Sequence, residues 1–193
     1  MDACVLSDNS RVAALTLGQS DSAFVSNVLY YRLDETEPET DCDIPDALTL
    51  ELSQRGADLV AVCDTCAAWL TPSGTVSARY DYGDAWLREY DLGGDGFAAL
   101  YLSRYQSGSM GRIVTVDSDG VELGSIDVME EVADISAAGR YVAALYTDRL
   151  VVYNLALETY ASLSGTENVQ SVLMRPDGSA LLFGATSAQL FLP

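Results

Sequence analysis

Apolar residues along this chain gather into short runs, and the longest runs recur at a nearly fixed distance. Leu59-Val60-Ala61-Val62, Phe97-Ala98-Ala99-Leu100-Tyr101, Tyr141-Val142-Ala143-Ala144-Leu145 and Ala180-Leu181-Leu182-Phe183 each follow a glycine. Those glycines are Gly56, Gly96, Gly139 and Gly178, at intervals of 40, 43 and 39 residues. Around the runs, polar and apolar residues alternate, as in Val132-Ala133-Asp134-Ile135-Ser136. Alternation is the pattern of a strand with one face covered, and a short apolar run that of a strand covered on both faces. A repeat of roughly forty residues built from such strands has the spacing of β-propeller blades, one four-stranded sheet per repeat.

The clearest unit reads as four strands. Val132–Ser136 is followed by a turn at Ala137-Ala138-Gly139-Arg140, and Tyr141–Tyr146 by a turn at Thr147-Asp148. Arg149–Tyr153 and a weaker outer strand, Thr159–Leu163, complete it. The same plan divides the chain into units of about 1–46, 47–84, 85–129, 130–165 and 166–193. The predicted fold is an all-β, WD40/YVTN-like β-propeller of about 4.5 four-stranded antiparallel blades in a single domain. In the first unit Asn9 stands where the others carry glycine, and asparagine is the next-best residue at positive φ. The segment 34–46, with seven acids and two prolines, reads as a solvated loop or a very short edge strand outside the core. The last unit stops after three strands. Met1–Leu6 could complete it beside Leu190-Phe191-Leu192; otherwise the open edges would pair with a second molecule, or a longer parent would supply further blades.

Composition narrows the partners. The chain has 193 residues, 29 acids and 10 bases, all of them arginine, for a formal charge of −19, and no histidine. Such a surface repels phosphate backbones and anionic lipid, which argues against nucleic-acid or membrane-surface binding and favours a basic partner or divalent cations. Without histidine, Ser-His-Asp and Cys-His nucleophiles and His-ligated zinc are excluded. No apolar run approaches the twenty residues of a membrane span, and the N-terminus has neither the basic nor the apolar segment of a signal peptide, so the chain reads as soluble as given.

Three stretches carry a family resemblance: Tyr90-Asp91-Leu92-Gly93-Gly94-Asp95-Gly96-Phe97-Ala98-Ala99-Leu100, Ser136-Ala137-Ala138-Gly139-Arg140-Tyr141-Val142-Ala143 and Met174-Arg175-Pro176-Asp177-Gly178-Ser179-Ala180-Leu181-Leu182. On these the chain resembles the propeller-like domains of Gram-positive, Clostridiales-type gut bacteria grouped as DUF5711, over roughly Leu48 to Pro193. The resemblance implies the C-terminal, extracytoplasmic part of a longer membrane-anchored protein, and it implies no catalytic residue.

Cys63-Asp64-Thr65-Cys66 is the one motif that invites chemistry. It aligns without gaps on Leu145-Tyr146-Thr147-Asp148, which puts it across a hairpin turn with no helix dipole to activate a thiol. Three readings stand: structural thiols, a Cys63–Cys66 disulfide across the turn, or a metal or redox site with Cys4 and Cys42 as further zinc ligands. Asp117-Ser118-Asp119-Gly120-Val121-Glu122 resembles the start of a calcium loop but lacks its distal acid, so a hairpin turn is the expectation. Asp91 and Asp95, about Gly93-Gly94, read the same way, and this glycine-rich stretch lacks the lysine and helix of a phosphate loop. Most tyrosines fall within strands as packing residues, while Tyr80, Tyr82, Tyr90 and Tyr105 are candidate rim contacts for a ligand.

Together these features predict a non-catalytic binding or scaffolding module without cofactor or metal. Its partner is expected to be a protein, a cell-envelope component or a second copy joined through open sheet edges. The alternative is a carboxylate-based enzyme, a glycosidase or lyase, with its site in the propeller channel; 29 acids offer many pairs and the sequence nominates none.

Overall fold

The computed structural model describes residues 2–20, 23–105 and 109–193. Their backbone forms nineteen strands in five antiparallel meander sheets. The first sheet holds β1 (Ala3–Val5), β2 (Arg11–Ser20), β3 (Ala23–Arg32) and β4 (Thr40–Ile44). The second holds β5 (Thr49–Arg55), β6 (Asp58–Cys63), β7 (Cys66–Leu70) and β8 (Val76–Asp81). The third runs through β9 (Trp86–Asp91), β10 (Phe97–Ser103), β11 (Gly111–Asp117) and β12 (Glu122–Val128). The fourth runs through β13 (Val132–Ala138), β14 (Tyr141–Tyr146), β15 (Arg149–Asn154) and β16 (Thr159–Ser164). The fifth has only β17 (Val169–Met174), β18 (Ala180–Gly184) and β19 (Ala188–Phe191).

Strand order within every sheet follows chain order, the arrangement produced by short hairpins alone. The repeat glycines sit at those turns with positive φ: 59° at Gly56, 76° at Gly96, 58° at Gly139 and 89° at Gly178. Asn9 takes the same region at 53°, while Asp46 and Leu157 adopt it without any glycine to signal it.

The strands form two compact units. Met1–Gly83 with Ser118–Gly120 makes one and carries the first two sheets; Asp84–Asp117 with Val121–Pro193 makes the other and carries the remaining three. Within each unit, sheets stack face on face. In the first, Ala13, Leu15, Val28 and Tyr30 of the first sheet pack with Leu59, Ala61, Cys63 and Ala68 of the second. In the second, Phe97, Ala99 and Tyr101 pack on Val142, Ala144 and Tyr146, while Ala143, Leu145 and Val152 pack on Val172, Ala180 and Leu182. The second strands of the middle sheets are buried on both faces, as their unbroken apolar runs require: Ala98 to Leu102 and Val142 to Tyr146 are each at most 4% exposed.

Two expectations are corrected. The acidic stretch 34–46 does supply a short edge strand, β4, but not outside the core: its Cys42 and Ile44 are 5% and 0% exposed and belong to it. Acids at Asp41 and Asp43 alternate with these residues, so a composition count reads as loop while the period of two still buries one face. The N-terminal strand β1 does not complete the last sheet, because it pairs with β2 as Cys4 opposite Ala13 and so fills its own.

Candidate functional site

The inner strands β1, β5, β9, β13 and β17 hold the most regular polar chemistry. Register makes their positions comparable. Opposite Ala13, Val60, Ala99, Ala143 and Leu181 stand Cys4, Ser53, Asp91, Ser136 and Leu173. Two residues earlier on the inner strand, opposite Leu15, Val62, Tyr101, Leu145 and Phe183, stand Asp2, Glu51, Glu89, Asp134 and Ser171. The first four sheets therefore carry an acid at the second position, and the fifth a serine.

These acceptors tie one sheet to the next. Asp2 Oδ2 accepts the Leu52 amide at 2.9 Å, and Asp134 Oδ2 accepts the Val172 amide at 2.7 Å, the same bond in two pairs of sheets. At the other position, Asp91 Oδ2 accepts the Ser136 hydroxyl at 2.9 Å and the Ala137 amide at 2.8 Å, while Ser136 Oγ accepts the Met174 amide at 3.0 Å. Asp91 Oδ1 also accepts the Gly93 amide at 2.7 Å. The glycines beside it serve close approach, since a Cβ on Gly93 would fall 2.2 Å from the Ala137 carbonyl oxygen. Asp91 is thus an inter-sheet latch as well as a turn residue. Burial raises the Asp134 carboxyl above the ordinary aspartate range against its hydrogen bonds, and burial followed by the nearby Asp134 charge raises Glu89. In the fifth sheet the latch is gone: Leu173 replaces it and is 51% exposed.

The rest of that sheet's outward face matches. Leu173, Leu181 and Leu190 are directly opposed across its three strands, as are Ser171, Phe183 and Ala188. Phe183 is 37% exposed and Leu190 50%, whereas Val172, Met174, Ala180 and Leu182 on the other face are buried against the fourth sheet. No charged residue lies in these two rows.

The cysteines form a second assembly. Cys63 ends β6 and Cys66 begins β7, directly across a two-residue turn, and both are fully buried as thiols. Counting from the turn, they match Tyr146 and Arg149, one residue later than the gap-free alignment placed them. The hydrogen bond between the two thiols, with burial adding to it, pushes Cys63 up, and the same bond holds Cys66 below the usual thiol range. Cys42 shares their core cluster and the half-buried Cys4 packs against it. Among the described residues no three Cys, Asp or Glu side chains converge as metal ligands.

The other candidates resolve individually. Asp117 turns β11 into β12, its Oδ1 accepting the Val121 amide at 2.9 Å. Tyr80 and Tyr82 lie in the first unit with ring centroids 6.4 Å apart, and Tyr82, 2% exposed, is too buried to stack on a ligand. In the second unit Tyr90 is half-buried on β9, and Tyr105 is 54% exposed after β10. An aromatic pair escaped sequence reading: Tyr141 and the exposed Tyr160 lie 4.9 Å apart, two strands removed and visible only once register is known. A cleft of about 450 Å³ in the first unit is lined by Arg11, Glu39, Thr40, Pro72 and Ser73. Its arginine is already engaged by Asp8 at 2.6 Å and the Pro72 carbonyl at 2.9 Å.

No protein-family model and no curated protein matches the chain. Solved structures do match in fold. The WD40 domain of Neurospora crassa Pan2 aligns with a TM-score of 0.50 at 10% identity over 92% of this chain, which spans 60% of that domain. The WD40 β-propeller domain of Doa1 aligns at 0.51 and 8% identity, covering 99% of this chain and 77% of that one. A chain of the mitotic checkpoint complex aligns at 0.56 and 10% identity, covering 99% and 75%. The fold is that of WD40-type β-propeller sheets.

Proposed function

We propose that the chain is a non-catalytic binding or scaffolding module whose partner is a protein or cell-envelope component. The observation that carries this reading is the outward face of the fifth sheet. Leu173, Phe183 and Leu190 stand 51%, 37% and 50% exposed at positions whose counterparts in the fourth sheet lie against a neighbour. An apolar, charge-free patch on a chain of net charge −19 marks an interaction site better than a solvated surface. The likeness to a chain of the mitotic checkpoint complex, itself an assembly, supports the same class of role. Outside the patch the acidic surface would draw a basic partner. A photo-crosslinking residue placed at Leu173, in cells that make the protein natively, should yield a protein adduct, and the same residue at the exposed Ser162 should not. Equal labelling at both positions, or none at Leu173, overturns the reading.

The DUF5711 resemblance extends the proposal to location, as the extracytoplasmic part of a membrane-anchored bacterial protein. Protease added to intact cells should then digest the tagged protein as fast as in lysate. The enzymatic alternative would rest on Glu89 and Asp134, the neighbouring carboxyls raised by burial. Asp134 already spends Oδ2 on the Val172 amide, which favours the binding role. Cleavage of a polysaccharide panel that Glu89→Gln abolishes would reverse that preference.

A further inference from the structure

We propose that Cys63 and Cys66 are a disulfide-forming pair, closing a covalent bond across the β6–β7 turn when the chain folds in the presence of a disulfide oxidant. The inference is independent of the interaction reading of the fifth sheet.

The first observation is register. Val62 stands opposite Ala67, so the next pair toward the turn is Cys63 with Cys66. Directly opposed residues of an antiparallel ladder have Cα atoms about 4.5 or 5.5 Å apart, inside the range of about 4.4–6.8 Å that a disulfide spans. Such residues also share one face. Both cysteines are fully buried in one core cluster with Leu52, Ala61 and Ala68, and their thiols are hydrogen-bonded to each other. A disulfide is uncharged and leaves no donor to satisfy, which suits this site.

The second observation is that the turn is pinned from outside. Asp64 Oδ1 accepts the Leu48 amide at 2.7 Å, and the Asp64 amide donates to the Leu48 carbonyl at 2.9 Å. Thr65 Oγ1 donates to the Asp46 carbonyl at 3.0 Å, and the Thr65 carbonyl accepts the Tyr82 amide at 3.0 Å. The two sulfurs are therefore held together by the fold and not by chance. The third observation comes from the repeat. At the matching positions of the fourth sheet the Arg149 guanidinium lies 4.4 Å from the centre of the Tyr146 ring. That place in the repeat is a cross-turn contact, and the cysteines make it one that can become covalent. Among the described residues no other two cysteines stand directly opposite each other. Cys4 and Cys42 lie three strand spacings apart in the first sheet, about 14 Å, beyond the limit of about 7 Å for a disulfide.

The step is thiol–disulfide exchange. A thiolate of the pair attacks one sulfur of a small disulfide such as oxidised glutathione and expels one thiol. The second cysteine attacks the resulting mixed disulfide and expels the other. Two thiol protons and two electrons pass to the oxidant, which leaves as two thiols. The exchange takes place as the chain folds, before burial shields the sulfurs.

Refolding from urea into graded mixtures of reduced and oxidised glutathione tests this, read by acid quenching, denaturing alkylation and peptide mass mapping. With oxidised glutathione in excess, Cys63 should be joined to Cys66, with Cys4 and Cys42 outside any protein disulfide. The equilibrium constant for the bond should be at least about tenfold larger in native buffer than in urea, because the fold holds the sulfurs together. Cys4→Ser should leave the bond intact, and Cys66→Ala should abolish it without a substitute partner for Cys63. Three results overturn the proposal: a Cys63–Cys66 pair that stays reduced in excess oxidant, a bond from either residue to Cys4 or Cys42, or a constant no larger than in urea.

Discussion

The fourth and fifth sheets are built from the same hairpin plan, yet they meet different surroundings. Leu145 and Phe183 hold equivalent places on their second strands, opposite Asp134 and Ser171. Leu145 is fully buried between its own sheet and the fifth; Phe183 is 37% exposed. Ser136 and Leu173 are likewise equivalent, the one bonded to the Met174 amide, the other 51% exposed with no acceptor to offer. Hydrophobic pattern alone therefore does not distinguish a residue that stabilises the stack from one available to a partner. In this pair the neighbouring acceptors do: Asp134 and Ser136 of the fourth sheet receive the Val172 and Met174 amides of the fifth, whereas the fifth sheet has Leu173 at the latch position and keeps a hydroxyl only at Ser171.

The hardest test of this contrast is truncation of the paired positions. Leu145→Ala should cost about 2–5 kcal/mol, the range for deleting a buried leucine side chain. Phe183→Ala removes more atoms but from an uncovered face, and should cost less than about 1.5 kcal/mol. Urea unfolding of the two variants measures both. Equal costs would mean the fifth sheet is covered in solution by something the isolated fold does not contain.

How much of this was legible in the sequence follows from what each feature depends on. The repeat, its glycine and asparagine turns and eighteen of the nineteen strands rest on local signals: positive φ at those residues, and short apolar runs or runs of period two. β4 was obscured because acids on its solvent face outvoted Cys42 and Ile44 in composition. The latch residues were out of reach for a different reason. Asp91 belongs with Ser136, and Asp134 with Asp2, only when strand register is counted. Intervals of 40, 43 and 39 between glycines hide that register, because turn lengths differ from sheet to sheet. The same slippage displaced the Cys63–Cys66 alignment by one residue.

A middle-sized effect should separate the latch's hydrogen bond from its charge. Asp134→Ala leaves the Val172 amide without its acceptor and should cost about 1–3 kcal/mol, with faster exchange of that amide. Asp134→Asn keeps an acceptor and should stay within about 1 kcal/mol of the wild type at neutral pH. The two also differ in pH dependence. Burial raises this carboxyl, so the folded state holds its proton more firmly than the unfolded chain. Its stabilising contribution is full below the ordinary aspartate range and is lost as pH rises through the raised value. Asp134→Asn should therefore flatten the stability profile in that window, and a profile identical to wild type would show that the carboxyl titrates alike in the folded and unfolded states.

The smallest expected effect is the most specific. Restoring a latch-type hydroxyl to the last sheet, Leu173→Ser, should change stability by no more than about 0.5 kcal/mol, since the site faces no amide and is half exposed. The equivalent deletion in the fourth sheet, Ser136→Ala, strips the acceptor from the Met174 amide and a partner from Asp91, and should cost about 1–3 kcal/mol. The positions share one register, so a difference reports whether an amide lies against the site. If Leu173→Ser instead stabilises the chain or shields its backbone from exchange, an amide does approach that face. The fifth sheet would then be an interior sheet awaiting the next, and the contrast with the fourth would be one of occupancy and not of design.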